Sequence, residues 1–307
     1  MKPIVILGVF VADTAYRAAR QPRMGETILG NDFKLGPGGK GSNQAIAAAR
    51  LGAPVHFITR LGKDAFADMA RAAWAKDGVK PEVTETPESY TGAAYIFIEE
   101  SSGNNAIIVS PGAARLITPA DLDAQQSLIA SAGIFITQLE QPLDAAQRGL
   151  EIAHENGVAT ILNPAPGAEL PDEMLALCDY LTPNESETEA LTGMPVTSLD
   201  EARAAADKLL QRGARGAIIT LGDKGALLHT ADQSVHVPVV NAGPVLDTTG
   251  AGDAFNAGFA VGLTRGMRPE DAARFGCAVA GISVTRSGTA PAMPTREEAE
   301  ALFAKMK

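Results

Sequence analysis

The sequence predicts an α/β fold that has a mostly parallel central sheet and a small second sheet outside it. Along most of the chain, short apolar runs alternate with amphipathic segments of helical spacing, a pattern typical of a parallel sheet covered by helices. The apolar runs are continuous, which indicates strands that are buried on both faces. Two stretches, 14–37 and 91–110, break this alternation and account for the second sheet.

The elements of the main body follow one another at regular intervals. Strands are predicted at 4–11, 55–62, 133–139, 158–163, 180–184 and 216–222, and helices at 41–52, 64–78, 143–157 and 199–213. Ser42 or Asn43 is expected to cap the first of these helices, and Gly52 to end it. The second helix is expected to end at Gly78.

The second sheet is expected to lie at the periphery and to need a packing partner on each of its two faces. Residues 14–37 are predicted to be extended chain without a helix, and 91–110 a hairpin that turns at 102–104. In this hairpin Tyr95 and Phe97 fall on one face of the strand, whereas Ile96 and Ile98 fall on the other. Since both faces are apolar, we expect one to cover an active site and the other to contact a partner subunit.

Composition excludes several classes of partner. The chain has 307 residues, a net charge of -10 and a pI near 5.0, so we expect no nucleic acid and no anionic membrane as partner. No apolar run approaches the roughly 20 residues of a membrane span, and the apolar start fits a buried strand better than a signal peptide. The two cysteines, Cys178 and Cys277, form no disulfide framework, which favours the cytoplasm.

Polar side chains recur where the predicted strands end. Ligands bind outside the carboxyl ends of the strands in open parallel sheets. The residues at these ends are Asp13, Glu140, Asn184, Glu187, Thr220 and Asp223. Each of them alone could be a solvated loop residue, but their recurrence at one edge of the sheet predicts a binding site there.

The glycine-rich stretch "GPGGKGSNQA" at 36–45 leaves backbone open to a ligand and adds the cation of Lys40. It is not a Walker A loop, because Gly41 stands where that motif requires Ser or Thr. No GxGxxG follows the first strand, so a dinucleotide site is not expected. The stretch could bind a ligand or could serve only as the entrance to a helix.

The stretch "DTTGAGDAFNAG" at 247–258 places an acid at the predicted start of an apolar helix. Free backbone N–H groups and the helix dipole make such a terminus an anion site. Asp253 then has two interpretations that the spacing leaves open. It could cap the helix, which would contribute about 1 kcal/mol, or it could be a general base beside bound phosphate.

The motifs "GGKGSNQA", "TPNESE", "ITLGDKG" and "DTTGAGDAFNAG", in this order, resemble the ribokinase family of PfkB-type sugar kinases over nearly the whole chain. The resemblance implies a three-layer α/β/α fold with a β-sheet lid. It also implies transfer of the γ-phosphoryl group of ATP to the primary (5-) hydroxyl of a pentose, D-ribose first. The main domain would comprise 1–11, 38–89 and 113–307, and the lid 12–37 and 90–112, which would also form a homodimer interface.

The resemblance also implies a role for each motif residue. Asp253 would be the base, with Gly250, Ala251 and Gly252 as the anion hole, and the sugar would be held by Asp13, Gly39, Lys40, Asn43, Glu140 and Asp253. ATP would lie against Asn184, Glu187, Thr220, Gly222, Asp223, Gly225, Gly252 and Cys277, with Mg²⁺ held by Glu187 through water. An activating K⁺ would be bound, largely through backbone oxygens, by Asp247, Thr249, Ser283, Arg286, Gly288 and Ala292.

One departure from the family pattern bears on the substrate. Members typically have "GSINAD" where this chain has "GVFVAD", so Val11 replaces an Asn that would hydrogen-bond the sugar. A buried hydroxyl facing valine would be unpaired, at a cost of about 1–3 kcal/mol. A 2-deoxypentose, another sugar or a nucleoside is therefore an alternative substrate. A non-catalytic sugar- or nucleotide-binding relative is disfavoured, because Asp253 and the neighbouring motif residues are all present.

Overall fold

Strand β1 (Ile4–Leu7) is buried on both faces, and this decides the architecture. In the computed structural model, which describes residues 1–306, Ile4 and Ile6 belong to one apolar cluster. Val5 and Leu7 belong to a second cluster, on the opposite face of the sheet. A strand with two buried faces needs a helical layer on each side. The result is the predicted three-layer α/β/α arrangement.

The remaining strands are β2 (Val11–Ala18), β3 (Asp32–Gly38), β4 (Val55–Leu61), β5 (Lys80–Glu85), β6 (Thr91–Glu99), β7 (Asn105–Gly112), β8 (Ile134–Thr137), β9 (Ala159–Leu162), β10 (Tyr180–Leu181), β11 (Gly216–Thr220), β12 (Ala226–Thr230) and β13 (Ser234–Val237). Within residues 1–306 they form a nine-stranded sheet of order β13-β12-β11-β10-β9-β8-β1-β4-β5 and a four-stranded sheet of order β3-β2-β6-β7. The large sheet is parallel from β5 to β11, and β12 and β13 join it antiparallel.

The helices are α1 (Lys40–Arg50), α2 (Ala65–Asp77), α3 (Pro119–Ala124), α4 (Gln126–Ser131), α5 (Leu143–Glu155), α6 (Asp172–Leu175), α7 (Glu185–Thr192), α8 (Leu199–Gln211), α9 (Ala251–Thr264), α10 (Pro269–Ser283) and α11 (Arg296–Ala304). Short 3₁₀ helices lie at Ala113–Leu116, Gly222–Lys224 and Ala290–Ala292. In the described part of the chain, no helix is both long and apolar enough to cross a membrane.

The predicted strand at 4–11 is wrong in its extent. The chain leaves the large sheet after Leu7 and enters the small sheet at Val11. Gly8 lies between the two, where a Cβ atom would come within 2.7 Å of the Cα of Gly41 and 2.5 Å of Gln138 Oε1. The close approach of α1 to the end of β1 therefore requires glycine at this point.

The predicted cap of the first helix is also wrong. Helix α1 begins at Lys40, after Gly39 at φ 89°, and no side chain caps it. Ser42 and Asn43 lie inside the first turn and are buried. Ser42 accepts a hydrogen bond from Trp74 Nε1 at 2.9 Å, and Asn43 contacts another helix. Tertiary contacts thus use the two side chains that local spacing assigned to the cap. For α2, the predicted end at Gly78 is confirmed.

The small sheet forms from the two stretches that predicted it. Residues 14–37 contain no helix, and the hairpin of β6 and β7 turns at 100–104. Strand register defines two faces of this sheet. One face carries Asp13, Ala94 and Val109, and it is called the site face because Asp13 is a predicted site residue. The outer face carries Tyr16, Phe33, Leu35, Tyr95, Phe97 and Ile108. The two-faced apolar pattern predicted for this hairpin is therefore present.

Candidate active site

Asp253 lies in the first turn of α9 and does not cap it. The helix begins at Ala251, after Gly250 in the left-handed conformation at φ 79°, and without a side-chain cap. The Asp253 carboxylate instead accepts one hydrogen bond from Asn43 Nδ2 and one from Gln44 Nε2, each at 3.0 Å. Both donors lie on α1. Of the two interpretations that the sequence left open, the capping interpretation is wrong.

The environment of this carboxylate opposes its charge. Asp253 is only 6% exposed, and burial raises its pKa above the usual range. Lys40 and the amide groups of Asn43 and Gln44 lower its pKa and offset part of that effect. A buried carboxylate whose proton affinity has been raised, and which stays close to a cation, has the properties of a general base.

Two more acids and one lysine interact electrostatically with Asp253. Burial raises the pKa of Glu140 to about 7, although Lys40 opposes the shift. Burial likewise raises the pKa of Asp13 to about 6, against a weak hydrogen bond from Thr289. For Lys40, burial lowers the pKa, but Asp253, Glu140 and Glu187 outweigh it and raise the value overall. The backbone N–H of Lys40 also donates to Glu140 Oε2 at 2.9 Å.

Two glycines shape the backbone around this group for different reasons. At Gly39 a Cβ atom would lie 2.5 Å from the carbonyl oxygen of Val9, so packing and its positive φ together require glycine. At Gly252 a Cβ atom would meet no protein atom within 4 Å. Protein packing therefore does not account for Gly252, and open space lies directly against the start of α9, where backbone N–H groups point outward.

Asn184 and Glu187 form a capping box at the start of α7. The N–H of Glu187 donates to Asn184 Oδ1 at 2.8 Å, and the N–H of Asn184 donates to Glu187 Oε2 at 2.9 Å. This cap alone would account for both residue types. Burial raises the pKa of Glu187, whereas Asn184 and Lys40 lower it, so Glu187 also lies within electrostatic range of the lysine.

The other predicted nucleotide residues lie at the end of β11, on the turn that follows it and on α10. Thr220 donates its N–H to the carbonyl oxygen of Pro183 at 2.9 Å and bridges to Asn184. Gly222 and Asp223 begin the following 3₁₀ turn. At Gly225, φ is 94° and a Cβ atom would lie 2.1 Å from the carbonyl oxygen of Val237, so packing explains this glycine. Cys277 is buried in α10, and burial raises the pKa of its thiol to about 12.

Asp247 joins the turn before α9 to the loop after α10. Its Oδ1 accepts from the N–H of Thr249 and its Oδ2 from the N–H of Gly288, both at 2.9 Å. The other residues predicted for a monovalent cation do not bring side chains to this point. The Ser283 hydroxyl donates to the carbonyl oxygen of Ala280, the Arg286 guanidinium pairs with Glu298, and Ala292 is buried.

Four polar residues of this region were not predicted from the sequence. Gln138 and Asn163 follow β8 and β9 at the same sheet edge as Glu140, so the rule of strand ends could have found them. Gln44 adjoins Asn43 within the glycine-rich motif. Only the fold reveals Thr289, which donates to the carbonyl oxygen of Pro37 at 3.0 Å and lies 3.5 Å from Asp13 Oδ2.

Comparison with known proteins assigns this arrangement to a family. The sequence profile of the pfkB family carbohydrate kinases matches residues 1–296. This chain belongs to that family. The ribokinase of Haemophilus influenzae is 38% identical over 300 residues, which cover 97% of each chain. The deoxyribokinase of Salmonella typhi is 37% identical over 297 residues, which cover 96% of each chain.

A solved structure agrees with this membership. Arabidopsis thaliana ribokinase, complexed with ribose and ATP, matches this carbohydrate kinase with a TM-score of 0.92 at 33% identity, over 98% of both chains. The predicted family, the ribokinase-like fold and the carbohydrate kinase activity are therefore confirmed.

Proposed function

We propose that this carbohydrate kinase transfers the γ-phosphoryl group of ATP to the primary 5-hydroxyl of D-ribose. One observation carries the proposal: the buried Asp253 carboxylate lies in the first turn of α9, within electrostatic range of Lys40 and beside the open space at Gly252. The similarity to a ribokinase complexed with ribose and ATP supports the choice of both substrates.

In this proposal Asp253 takes the proton from the attacking hydroxyl. The backbone N–H groups at Gly250, Ala251 and Gly252 are proposed to stabilise the charge on the phosphoryl oxygens, since the first N–H groups of a helix have no partner within the helix. The N–H of Ala251 donates to the carbonyl oxygen of Thr248 at 3.1 Å, so Gly250 and Gly252 would be the main donors. Phosphoryl transfer depends on position and charge more than on covalent chemistry, so a fixed base and a fixed anion hole suffice.

The sugar site is proposed to comprise Asp13, Gly39, Lys40, Asn43, Glu140 and Asp253. An unpaired atom supports this assignment: Asn43 Oδ1 is buried and has no hydrogen-bond partner within the described residues. A buried acceptor without a partner is costly, and a sugar hydroxyl would satisfy it. Asp13 and Glu140 supply further hydrogen-bond acceptors, and both carboxylates interact electrostatically with Asp253.

ATP is proposed to lie along Asn184, Thr220, Gly222, Asp223, Gly225, Gly252 and Cys277. Glu187 fits a role toward Mg²⁺ through water, because a carboxylate is a hard oxygen ligand and this one lies at the start of α7 beside Asn184. When bound, the ion would neutralise phosphate charge. The capping box with Asn184 would hold the Glu187 side chain in position for that task.

An activating K⁺ is proposed at Asp247, Thr249, Ser283, Arg286, Gly288 and Ala292. Among residues 1–306 no group of three or more His, Cys, Asp or Glu side chains could hold a metal ion. K⁺ does not need such a cluster, since backbone carbonyl oxygens are hard ligands of the kind that it accepts. Both Asp247 oxygens already fix the two backbone segments, so the ion would reinforce the same turn.

Residues 12–37 and 90–112 are proposed to act as a lid that excludes water, which would otherwise compete as acceptor. The outer face of the small sheet is proposed to form a homodimer, because Phe33 and Ile108 are 53% and 66% exposed there. A cytoplasmic location is proposed because the reaction consumes ATP and both cysteines are free, buried thiols.

A second substrate, 2-deoxyribose, is favoured by one specific observation. Val11 is only 3% exposed and belongs to an apolar cluster with Ala94. It also lies on the site face, two residues before Asp13. A sugar carbon without a hydroxyl would suit such a surface. The 37% identity to a deoxyribokinase agrees with this alternative, although ribokinases are equally similar.

The proposal is tested by measuring ADP release with ribose, 2-deoxyribose and other pentoses, each with and without K⁺. We expect the largest specificity constant for ribose and faster turnover with K⁺. A larger constant for 2-deoxyribose would replace ribose by the alternative substrate. Absence of ADP release with every sugar would contradict the kinase assignment and favour a binding protein.

A further inference from the structure

A chain of buried amide side chains lies behind Asp253, on residues that have no assigned role in the reaction. Gln138 Nε2 donates to Gln44 Oε1 at 2.7 Å, and Gln44 Nε2 donates to Asp253 Oδ1 at 3.0 Å. Gln44 and Gln138 are fully buried. The two buried amides form a continuous chain of hydrogen bonds from the end of strand β8 to the carboxylate of the proposed base.

A branch of the same chain returns to the anion hole. Gln44 Nε2 also lies 3.3 Å from Asn163 Oδ1, and Asn163 Nδ2 donates to the carbonyl oxygen of Thr182 at 3.0 Å. Thr182 Oγ1 donates to Asn256 Oδ1 at 2.6 Å, and Asn256 Nδ2 donates to the carbonyl oxygen of Gly252 at 2.9 Å. The network therefore links the carboxyl ends of three neighbouring strands to the first turn of α9.

The orientation of each amide follows from its partners. The carbonyl oxygen of Thr182 requires the nitrogen of Asn163, so Asn163 Oδ1 faces Gln44 and requires its nitrogen. Gln44 Nε2 therefore also donates to Asp253 Oδ1, and Gln44 Oε1 accepts from Gln138. Asn43 donates to the second oxygen of Asp253, so both carboxylate oxygens accept hydrogen bonds. This arrangement matches the ionised form of Asp253, which is the form that accepts a proton.

We propose that Gln44, held by Gln138 and Asn163, is a positioning residue that keeps Asp253 ionised and aimed at the acceptor hydroxyl. This inference rests on the proposed function, in which Asp253 is the base. Gln44 does not act on the sugar itself, because both of its polar side-chain atoms are used within the network. Its effect on the reaction passes through Asp253.

The charged groups that act on Asp253 come from four other positions and stay unchanged when Gln44 is replaced. They are Lys40 on α1, Asp13 on β2, Glu140 after β8 and Glu187 on α7. Gln44 and Asn43 supply the neutral donors that lower the pKa of the carboxylate. Loss of the Gln44 donor alone therefore raises the pKa of Asp253 without altering any charge.

The test is the pH profile of turnover in Gln44→Met, which keeps the length of the side chain and removes its donor. We expect the acid limb of the profile of kcat against pH to move up by about one pH unit, since loss of a hydrogen bond to a charged group changes its pKa by about that amount. Turnover should fall about tenfold on the acid limb and recover toward the wild-type rate at high pH. The KM for the sugar should change little.

Gln147→Met on α5 is the matched control, because its amide bonds only Glu151, at 3.0 Å, outside the network. Its profile should superpose on the wild type. Gln138→Met removes the donor to Gln44 Oε1 but keeps the hydrogen bond from Gln44 to Asp253, so it should shift the limb in the same direction by less. It serves as the test if Gln44→Met does not fold. A loss of turnover that is equal at all pH values, or an unshifted limb, would overturn the proposal. By contrast, near wild-type turnover in Asp253→Asn would overturn the proposed function itself.

Discussion

Asn43 Nδ2 donates to Asp253 Oδ2 at 3.0 Å, although 210 positions separate the two residues in the sequence. The contact joins the first turn of α1 to the first turn of α9, and the two helices pack against each other. The glycine-rich motif and the motif that precedes α9 thus meet at their helix starts. Each motif supplies half of one site, with donors from α1 and the carboxylate from α9.

Replacement of Asp253 by Asn should lower kcat by about 10²–10⁴-fold, the usual effect of losing a general base. The amide has nearly the shape of the carboxylate but cannot take a proton. Sugar affinity, measured by calorimetry without ATP, should change only a few-fold. Asp200→Asn on the surface of α8 is the control and should leave kcat unaltered. Turnover near the wild-type rate in Asp253→Asn would remove this residue from the proton transfer.

Replacement of Val11 by Asn should favour ribose over 2-deoxyribose. The amide would supply a partner to a hydroxyl that valine leaves unpaired, an effect of about 1–3 kcal/mol. The ratio of kcat/KM for ribose to that for 2-deoxyribose should therefore rise about tenfold or more. Both constants come from the same ADP-release assay. An unchanged ratio would show that position 11 does not face the hydroxyl that distinguishes the sugars.

Replacement of Glu140 by Gln should stabilise the free protein at alkaline pH and weaken sugar binding. The pKa of Glu140 rises from 4.5 to about 7 on folding, so between these values the folded chain holds more protons than the unfolded chain. The free energy of unfolding consequently falls as the pH rises through this window. Glutamine removes that effect, which should stabilise the variant by about 1–3 kcal/mol at pH 8.

Chemical denaturation at two pH values checks this prediction. At pH 4 Glu140 is protonated in both states, so the wild type and Glu140→Gln should unfold alike. The stabilisation should appear only as the pH rises. Equal stabilisation at both pH values would mean that the variant acts through packing, and no stabilisation at pH 8 would mean that burial does not raise the pKa of Glu140.

Replacement of Ile108 by Lys should produce a monomer in solution. Ile108 lies on the outer face of the small sheet with Tyr16 and Leu35, which are 42% and 47% exposed. A charge on an apolar interface is unfavourable because it loses its hydration without a partner. Light scattering should give twice the monomer mass for the wild type and for Leu143→Lys, an exposed apolar position on α5. A dimer that persists in Ile108→Lys would exclude this face as the interface.

The fold was predictable because β1 is apolar at every position and its neighbours β4 and β8 are apolar at most positions, which is typical of strands with two buried faces. Element ends were less predictable, since they depend on distant contacts. Asparagine is a common helix cap, yet the side chain of Asn43 donates a hydrogen bond to Asp253 instead. Gln44 gave no local signal, because its role exists only when α1 lies against α9. Residue type and spacing therefore indicated the edge of the sheet where the proposed site lies, but not the amide network behind it.

The close succession of β1 and β2 has a consequence for how a substrate would be retained under the proposed function. Asp13 belongs to β2, an inner strand of the small sheet, whereas Lys40 begins α1, which packs against β1 and β4 of the large sheet. If Asp13 and Lys40 both hold the sugar as proposed, the acceptor alcohol connects the two sheets through its own hydroxyls. A water molecule is too small to make both contacts, so it would lack this means of being held beside the phosphate donor.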